Sequence, residues 1–381
     1  MYKIGLIGCG NIAETYFRSQ EYFNNIEIVS CADINEDLAK KCANQYNVQP
    51  LSVDDLLADN KNSIVLNLTP PQAHYEVTKK ILLANKHSYC EKPLSTTFKD
   101  GQELLNLAKE KNLYLGNSPD TFLGAGIQLS RQLIDSGSIG DVKLGVINFA
   151  FPGVESFHPN PESWFVEGGG PVIDMGPYYF TALINLIGPA KNIRGRPATV
   201  YNYREILTGP RKGEKIKVEI PTTFMGDIEF QNGTIIQFFL SFDIINHQRN
   251  HIELYGTKGS IIVPNPDMFG GPVNISYSEG EDWEELAVTD KRLGKINITD
   301  QSVRSDESPT NANYRGIGLS EMIDCIKHGK KHRCNGDVAL HVLDIIESVM
   351  KSAISNQQVN LRTTCKQPKI FQENEIEQLM K

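Results

Sequence analysis

The 381-residue sequence predicts an α/β protein of two domains, a doubly wound parallel sheet over residues 1–120 and an α+β domain with an antiparallel sheet over residues 121–381. The length exceeds the roughly 250 to 300 residues at which single hydrophobic cores stop growing. In the first third, short apolar stretches alternate with helical patterns, which is typical of a parallel sheet covered by helices on both faces. After about residue 140, strand patterns follow one another instead.

The first domain is predicted to contain five strands separated by helical patterns. They lie at 3–7, 26–32, 63–68, 87–90 and 113–115. The carboxyl ends of parallel strands share one edge of the sheet, and ligands of open α/β sheets bind outside that edge. We therefore expect the functional site there.

A glycine-rich motif, Gly8-Cys9-Gly10-Asn11-Ile12-Ala13, lies between the first strand and the first helix. Its two glycines allow a tight turn and a close approach of the backbone to a pyrophosphate, and the start of a helix offers unpaired N–H groups. The motif predicts a Rossmann domain in which Gly8, Gly10, Asn11 and Ile12 bind a dinucleotide.

Asp33 ends the second strand, twenty residues beyond the motif. At this spacing a carboxylate reaches the ribose hydroxyls of an adenosine. It accepts hydrogen bonds from a free 2′-hydroxyl and repels a 2′-phosphate, and residues 33–35 contain no Arg or Lys to hold that phosphate. NAD is therefore favoured over NADP, while a tight turn beside an unrelated aspartate is the less favoured alternative.

Another predicted strand, 63–68, ends in Thr69-Pro70-Pro71 at the same edge, and His74 follows. We expect Thr69 and Pro70 to contact the cofactor. His74 is expected to fix the loop beside the nicotinamide rather than to take part in the chemistry.

The triplet Glu91-Lys92-Pro93 directly follows the strand at 87–90. Taken alone, such a triplet most simply forms a surface ion pair. Its position at the carboxyl edge, downstream of the dinucleotide motif, instead places Lys92 on the cofactor side, where a buried lysine is costly unless it is paired or used. We therefore predict Glu91 and Lys92 as site residues.

The composition argues against several other classes of protein. A net charge of -8 makes nucleic acid an improbable main partner. The seven cysteines are scattered without a Cys-x-x-Cys pair, which indicates reduced thiols in the cytosol and no metal site. No apolar run approaches the roughly 18 residues of a membrane span, so no membrane partner is expected.

The second domain is predicted to be rich in strands, at 142–151, 193–201, 223–230, 234–242, 251–255 and 260–263. Asn232-Gly233 between two of them predicts a hairpin with a type I′ turn. Helices are expected at 123–136, 172–186, 314–328 and 337–354, the last two packed on a sheet. The stretch 263–306 is predicted to be rich in loops.

This set of motifs resembles the Gfo/Idh/MocA oxidoreductases, the family of glucose-fructose oxidoreductase and inositol dehydrogenase. The matching segments, in the family's order, are 8–13, Asp33, Thr69-Pro70-Pro71-x-x-His74, Glu91-Lys92-Pro93 and the stretch 168–176, Gly-Gly-Gly-Pro-Val-Ile-Asp-Met-Gly. The resemblance implies a nicotinamide-dependent sugar or cyclitol dehydrogenase whose second domain contains a large open, mainly antiparallel sheet. It also implies a catalytic Lys92 and a cis Lys92-Pro93 peptide.

The resemblance places an acid/base pair at Asp174 and Tyr178, which share one face of the predicted helix because they are four residues apart. Without it, Asp174 is more simply a helix cap and Tyr178 a core residue. Most sugar and inositol dehydrogenases have histidine at the position of Tyr178, and some members of the family have tyrosine. A tyrosine with the ordinary pKa of about 10 is a poor base, but a neighbouring ammonium such as that of Lys92 lowers this pKa.

Three further residues are weaker candidates for substrate binding. His158 and Trp164 precede the glycine-rich stretch, and Asp120 lies at the domain crossover. A lone loop histidine is more often a surface residue, and Asp120 could cap the next helix instead.

These features predict an enzyme that transfers hydride between NAD(P) and a secondary alcohol or ketone of a sugar, cyclitol or related polyol. The alternative is a regulator that binds dinucleotide and sugar as signals without turnover. The exposed faces of open sheets invite symmetric pairing, so a homodimer or homotetramer is expected.

Overall fold

The computed structural model describes residues 2–277, 280, 282–297 and 312–381. Its helices, in chain order, are α1 (Ala13–Tyr22), α2 (Glu36–Tyr46), α3 (Val53–Ala58), α4 (His74–Leu83), α5 (Phe98–Glu110), α6 (Ala125–Asp135), α7 (Pro171–Asp174), α8 (Gly176–Ile187), α9 (Ile317–His328), α10 (Gly336–Ser355) and α11 (Glu373–Leu379). Its strands are β1 (Lys3–Ile7), β2 (Ile28–Ala32), β3 (Gln49–Pro50), β4 (Asn62–Asn67), β5 (His87–Cys90), β6 (Leu115–Asn117), β7 (Val142–Ala150), β8 (Ala190–Ala198), β9 (Tyr203–Glu205), β10 (Lys215–Lys217), β11 (Thr223–Phe230), β12 (Ile235–Ser241), β13 (Ile252–Gly256), β14 (Ser260–Val263), β15 (Val273–Ser276), β16 (Glu284–Leu286) and β17 (Val359–Asn360).

The chain forms two compact units. The first combines Met1–Gly124 with Asn313–Leu343 and Lys369–Lys381, and the second combines Ala125–Ala312 with Asp344–Pro368. The division of the sequence into domains at residue 120 stays a prediction, but the first unit clearly draws on later parts of the chain as well.

The first unit contains a six-stranded sheet in the order β3-β2-β1-β4-β5-β6, and every neighbouring pair is parallel. This confirms the predicted doubly wound parallel sheet. Helices pack on this sheet: one apolar cluster joins residues of β1, β2 and β4 to α3 and α4, and another joins β6 to α4, α5 and α10. Strand β3 was missed, since it is only two exposed residues long at the sheet edge, and β6 begins at Leu115 rather than at residue 113.

The second unit contains a nine-stranded sheet in the order β16-β15-β14-β13-β7-β12-β11-β8-β17. Its neighbouring strands are antiparallel except for β7 and β12, which run parallel with Ile235 opposite Leu144. The expected mainly antiparallel sheet is therefore present. A separate two-stranded sheet of β9 and β10 was not predicted.

The hairpin between β11 and β12 forms as predicted, but its turn is not type I′. A type I′ turn needs positive φ at two central residues. Gly233 has a positive φ of 85°, but Asn232 does not. Among the described residues other than glycine, positive φ occurs only at Asn47, Asn85, Asn112 and Asn356. Gly233 N–H donates to the carbonyl of Phe230 and Phe230 N–H to that of Thr234, which describes a three-residue loop closed by a left-handed glycine.

The single helix predicted at 172–186 is two helices, α7 and α8, that meet at Met175. Pro177 explains the break, because its ring excludes the carbonyl four residues earlier and it has no N–H to donate. Tyr178 N–H accordingly bonds to the carbonyl of Met175, three residues back, at 3.1 Å.

The two late helices pack on sheets, as their apolar faces predict. Helix α9 packs on β6: a Cβ added to Gly116 would lie 2.8 Å from Met322 Sδ. Helix α10 packs on β8: a Cβ added to Gly195 would lie 3.2 Å from the carbonyl oxygen of Val349. No helix of the described residues is long and apolar enough to cross a bilayer.

The prediction of a loop-rich stretch at 263–306 falls partly on 278, 279, 281 and 298–306, which lie outside the described residues. The described part of this stretch contains the two short strands β15 and β16 between irregular segments.

Candidate active site

The glycine-rich loop between β1 and α1 has a conformation that requires its first glycine. Gly8 has φ of 102°, and a Cβ there would lie 2.6 Å from the carbonyl carbon of Leu68. Gly8 N–H donates to the carbonyl of Ala32 at 2.9 Å, and Leu68 N–H donates to that of Ile7 at 2.8 Å. The loop thus packs closely between the ends of β2 and β4.

The second glycine of the loop faces open space. In the described part of the chain, nothing lies within 4 Å of the position that a Cβ of Gly10 would take. The N-cap of α1 is Ile12, whose side chain has no polar atom with which to cap the helix. An open glycine beside an uncapped helix start fits a pyrophosphate, which backbone N–H groups and the helix dipole favour.

The Asp33 carboxylate is held in place by the backbone around it. Its Oδ2 accepts from Cys9 N–H and its Oδ1 from Asn35 N–H, both at 2.8 Å. The first contact joins the ribose-binding candidate to the glycine-rich loop. The two parts predicted to bind one dinucleotide therefore share a hydrogen bond.

The loop after β4 is connected to the loop after β5 through His74. Its Nδ1 lies 2.5 Å from the carbonyl oxygen of Pro93, and its Nε2 lies 2.7 Å from that of Thr69. The Thr69 hydroxyl donates to Asn67 Oδ1 at 2.7 Å. Burial lowers the pKa of His74, while the hydrogen bonds to the Pro93 and Thr69 carbonyls oppose this shift because they favour the protonated ring.

The Glu91 carboxylate is buried and bonded to two elements of the first unit. Its Oε1 accepts from the hydroxyl of Tyr16 on α1 at 2.8 Å, and its Oε2 accepts from Lys92 N–H at 3.0 Å. Tyr16 stays protonated as a donor, because burial raises its pKa well above the usual value and Glu91 adds to the shift. These contacts describe Glu91 as a residue that positions Lys92; its predicted contact with a cofactor stays a prediction.

The peptide between Lys92 and Pro93 is cis, as the resemblance implied. Asn117 at the end of β6 supports the same turn, since its Nδ2 donates to the carbonyls of Cys90 and Glu91 at 2.9 and 3.0 Å. Lys92 itself is half-buried. Four strand ends thus place Gly8, Asp33, Thr69 and Lys92 at one edge of the sheet.

In the second unit, Asp174 ends α7 and is half-buried, whereas Tyr178 lies in the first turn of α8 and is 6% exposed. The expectation that both residues share one face of a continuous helix is wrong, because the chain changes helix at Met175 between them. Their pairing with each other and with Lys92 stays a prediction.

His158 and Trp164 lie together in the segment before the glycine-rich stretch. Their ring centroids are 4.7 Å apart, and His158 Nδ1 accepts from Asn160 N–H at 3.1 Å. Gly169 packs on this segment so closely that a Cβ would lie 2.8 Å from Trp164 Cα. The two predicted substrate contacts thus form one half-buried aromatic pair.

This segment is held by a buried ionic cluster. Arg204 of β9 donates to Glu155 Oε1 at 2.8 Å, and it also bonds to Asp243, whose Oδ2 accepts from the Thr223 hydroxyl at 2.6 Å. Buried charges that are paired and hydrogen-bonded in this way fix the geometry of the chain around them. Glu155 lies only three residues before His158, so the cluster supports the aromatic pair.

Asp120 does not cap the next helix, since its side chain makes no cap hydrogen bond to the 3-10 turn Thr121–Leu123. It is 1% exposed, and its Oδ2 accepts from Gly316 N–H at 2.8 Å and from Gly318 N–H at 3.0 Å at the start of α9. It therefore caps a helix almost 200 residues later, and its predicted contact with a substrate hydroxyl stays a prediction. Its Oδ1 is buried without a hydrogen-bond partner among the described residues.

The fold and the carboxyl-edge site define the class of NAD(P)-binding Rossmann proteins. The chain belongs to the GFO/IDH/MocA oxidoreductase family: the family model described as an oxidoreductase with NAD-binding Rossmann fold matches residues 2–117, and the model of the GFO/IDH/MocA C-terminal domain matches residues 127–262.

Characterised relatives are similar over most of the chain. A 1,5-anhydro-D-fructose reductase of Ensifer adhaerens is 26% identical over 290 residues, 74% of this chain and 82% of that protein. A dTDP-3,4-didehydro-2,6-dideoxy-alpha-D-glucose 3-reductase of Saccharopolyspora spinosa is 28% identical over 268 residues, 68% of this chain and 74% of that protein. The solved structure of levoglucosan dehydrogenase in complex with NADH and L-sorbose has the same fold, with a TM-score of 0.78 at 19% identity, covering 95% of this chain and 99% of that one.

Replacing Tyr16 with Phe should destabilise the protein, because the buried Glu91 carboxylate loses a donor. An unsatisfied buried acceptor costs about 1 to 3 kcal/mol, which urea denaturation measures directly. Tyr46→Phe is the matched control, since the Tyr46 hydroxyl accepts a surface hydrogen bond from Gln45. Equal stability of the two variants would show that Glu91 does not depend on Tyr16.

The Asp120→Asn substitution should remove part of the pH dependence of stability. Burial raises the pKa of Asp120 from 3.8 to about 6, so between these values the folded chain holds a proton that the unfolded chain has lost. The contribution of Asp120 to stability is therefore complete below pH 3.8 and is lost as the pH rises through about 6.

We expect the Asn variant to gain stability relative to the wild type as the pH rises from 4 to 7 in urea denaturation. Asp141→Asn is the control, because that side chain is 79% exposed. A difference between Asp120→Asn and wild type that stays constant over this pH range contradicts the assignment.

Proposed function

We propose that this protein is an NAD-dependent oxidoreductase that interconverts a secondary alcohol and a ketone on a sugar, cyclitol or related polyol. The observation that carries the proposal is the carboxyl edge of the parallel sheet, where the open glycine-rich loop, the fixed Asp33 carboxylate and Lys92 follow three strand ends. Each of these groups has a separate task in holding a dinucleotide next to a reactive amine.

The residues of the first unit fit NAD. The backbone at Gly8, Gly10, Asn11 and Ile12 would hold the pyrophosphate, and Asp33 would accept hydrogen bonds from the ribose hydroxyls. Thr69 and Pro70 would line the nicotinamide end, with His74 fixing their loop through the Thr69 carbonyl. When bound, the nicotinamide supplies or accepts the hydride.

The proton is handled by side chains of this chain. Tyr178 would hold the proton of the substrate alcohol, and Asp174 would orient the reacting hydroxyl. The Lys92 ammonium would favour the phenolate of Tyr178 and polarise the substrate oxygen. Glu91 and Tyr16 would act as positioning residues, because they fix the turn that carries Lys92.

The relatives support a carbohydrate as the substrate. Two related sequences act, by their names, on an anhydro sugar and on a nucleotide-linked deoxy sugar. The half-buried pair of His158 and Trp164 offers an aromatic face and an imidazole, groups that suit the apolar and polar sides of a sugar ring. We propose that this pair contributes to substrate binding, whereas Asp120 supports the fold.

We also propose that the protein forms a homodimer or homotetramer through the nine-stranded sheet. Leu144, Met225 and Ile235 are 54%, 41% and 45% exposed on neighbouring strands, with Ile235 directly opposite Leu144. An exposed apolar sheet face is typical of a self-association surface. All seven cysteines are free thiols, which agrees with the predicted cytosolic location.

Replacing Lys92 with Met should lower kcat by about 10²- to 10⁴-fold, because the proton-handling tyrosine loses its neighbouring charge. A panel of polyols and keto-sugars with NAD(H), read at the nicotinamide absorbance, first identifies the substrate. The expected binding of NADH to the variant, followed by fluorescence, is little changed, and Lys99→Met on the exposed side of α5 is the control.

Unchanged turnover in Lys92→Met would remove the proposed mechanism. Sugar-dependent quenching of bound NADH without oxidation across the whole panel would instead identify a regulator that senses dinucleotide and sugar.

Replacing Asp33 with Asn should shift cofactor preference from NADH towards NADPH by about tenfold or more, corresponding to roughly 1.4 kcal/mol. The amide no longer repels a 2′-phosphate, and it keeps an oxygen that can accept from Cys9 N–H. Fluorescence titrations with both cofactors measure the ratio. Asp37→Asn in the first turn of α2 is the control, and an equal ratio in all three proteins would separate Asp33 from cofactor choice.

A further inference from the structure

Three cysteines that are separated in the sequence lie close together at the dinucleotide loop. Cys9 belongs to the loop itself, Cys31 to β2 and Cys42 to α2, and their Sγ atoms all lie within 4.8 Å of one another. Among the described residues, this is the only group of three or more potential metal-binding side chains that converges so closely.

The three thiols differ in their access to solvent. Cys31 and Cys42 are 0% and 7% exposed, whereas Cys9 is half-buried. The Sγ of Cys9 lies 3.6 Å from the carbonyl oxygen of Ala32, and that of Cys31 lies 3.5 Å from the carbonyl oxygen of Ala39. Cys9 is therefore the one member of the cluster that an ion can reach from solvent.

We propose that Cys9, Cys31 and Cys42 form a binding site for one soft divalent cation of the Zn²⁺ or Cd²⁺ class. Each thiol loses its proton to solvent as its sulfur–metal bond forms, so no oxidant or reductant is needed. Three thiolates and one divalent ion together carry a net charge of about −1, and water occupies the fourth coordination position.

The geometry needs only a small adjustment. Tetrahedral zinc with bonds of about 2.3 Å to sulfur places its sulfur ligands roughly 3.8 Å apart. The largest separation in the cluster is 4.8 Å or less, so a contraction of about 1 Å or less completes the site. Rotation of the Cys9 side chain in its loop can supply this movement, because Cys9 is not fully enclosed.

Thiols also occur in cores simply as small apolar groups. Cys90, Cys325 and Cys334 are buried in this way, each apart from the cluster. The group at Cys9 differs because three sulfur atoms from three separate elements converge, and one of them is accessible to an ion.

Occupation of this site should disturb dinucleotide binding. Cys9 N–H donates to Asp33 Oδ2, so a metal that pulls Cys9 inward acts on the carboxylate predicted to hold the ribose. The metal–thiolate group also leaves a net negative charge beside the loop predicted to bind a pyrophosphate. By linkage, NADH and the cation should each weaken binding of the other.

The test is a titration of the reduced full-length protein with Cd²⁺ in the absence of NAD. The thiolate-to-cadmium charge-transfer absorbance should saturate at one equivalent, and the cadmium NMR shift should indicate three sulfur ligands. Cys42→Ala and Cys31→Ala should each weaken binding at least tenfold, whereas Cys365→Ala, which removes a half-buried thiol elsewhere, should bind like the wild type.

Circular dichroism checks that each variant folds, and the NMR measurement on wild type does not depend on any substitution. Any of three results would overturn the proposal and leave the cysteines as packing residues. These are the absence of a saturable band in the wild type, a cadmium resonance that indicates fewer than three sulfur ligands, and equal binding by Cys42→Ala and wild type. A second titration with Zn²⁺ as competitor should displace Cd²⁺ from the same site, and failure to compete counts against it.

Discussion

The carboxylate of Glu91 is the contact on which the geometry of the first unit's site depends. A buried carboxylate is stable only when donors compensate for its lost hydration, and Glu91 obtains one from α1 and one from its own turn. The helix that starts at the dinucleotide loop and the turn that carries Lys92 are thereby fixed to one group. Preorganisation of this kind keeps the turn at Lys92 in place before any ligand arrives.

The larger elements of the fold could be predicted because their patterns extend over many residues. Apolar strands alternating with amphipathic helices identified the parallel sheet, and consecutive strand patterns identified the antiparallel one. Strands of two or three residues, such as β3, β9 and β17, contain too few positions to show an alternation. The Asn232-Gly233 pair predicted a hairpin correctly, but it is compatible with loops of two and of three residues, and local sequence does not decide between them.

The candidate site was predictable where it depends on strand ends and not where it depends on contacts between distant residues. Gly8, Asp33 and Lys92 follow strands directly, so their shared edge could be derived from the topology. Tyr16 could not be found, because its partner Glu91 is 75 positions away and the helical pattern of α1 only indicates a core residue. The helix that Asp120 caps could not be found for the same reason, since its partners lie at the start of α9.

Asp120 also has a consequence for the order in which the protein can fold during synthesis. The ribosome releases residues 125–312 before α9 exists, so throughout that interval the Asp120 carboxylate has neither of its two backbone donors. The end of β6 also lacks a hydrogen-bond partner during this interval, because Asn117 N–H donates to the carbonyl of Cys334. Both units therefore stay incomplete until late in synthesis, since the first needs Asn313–Leu343 and Lys369–Lys381 and the second needs Asp344–Pro368.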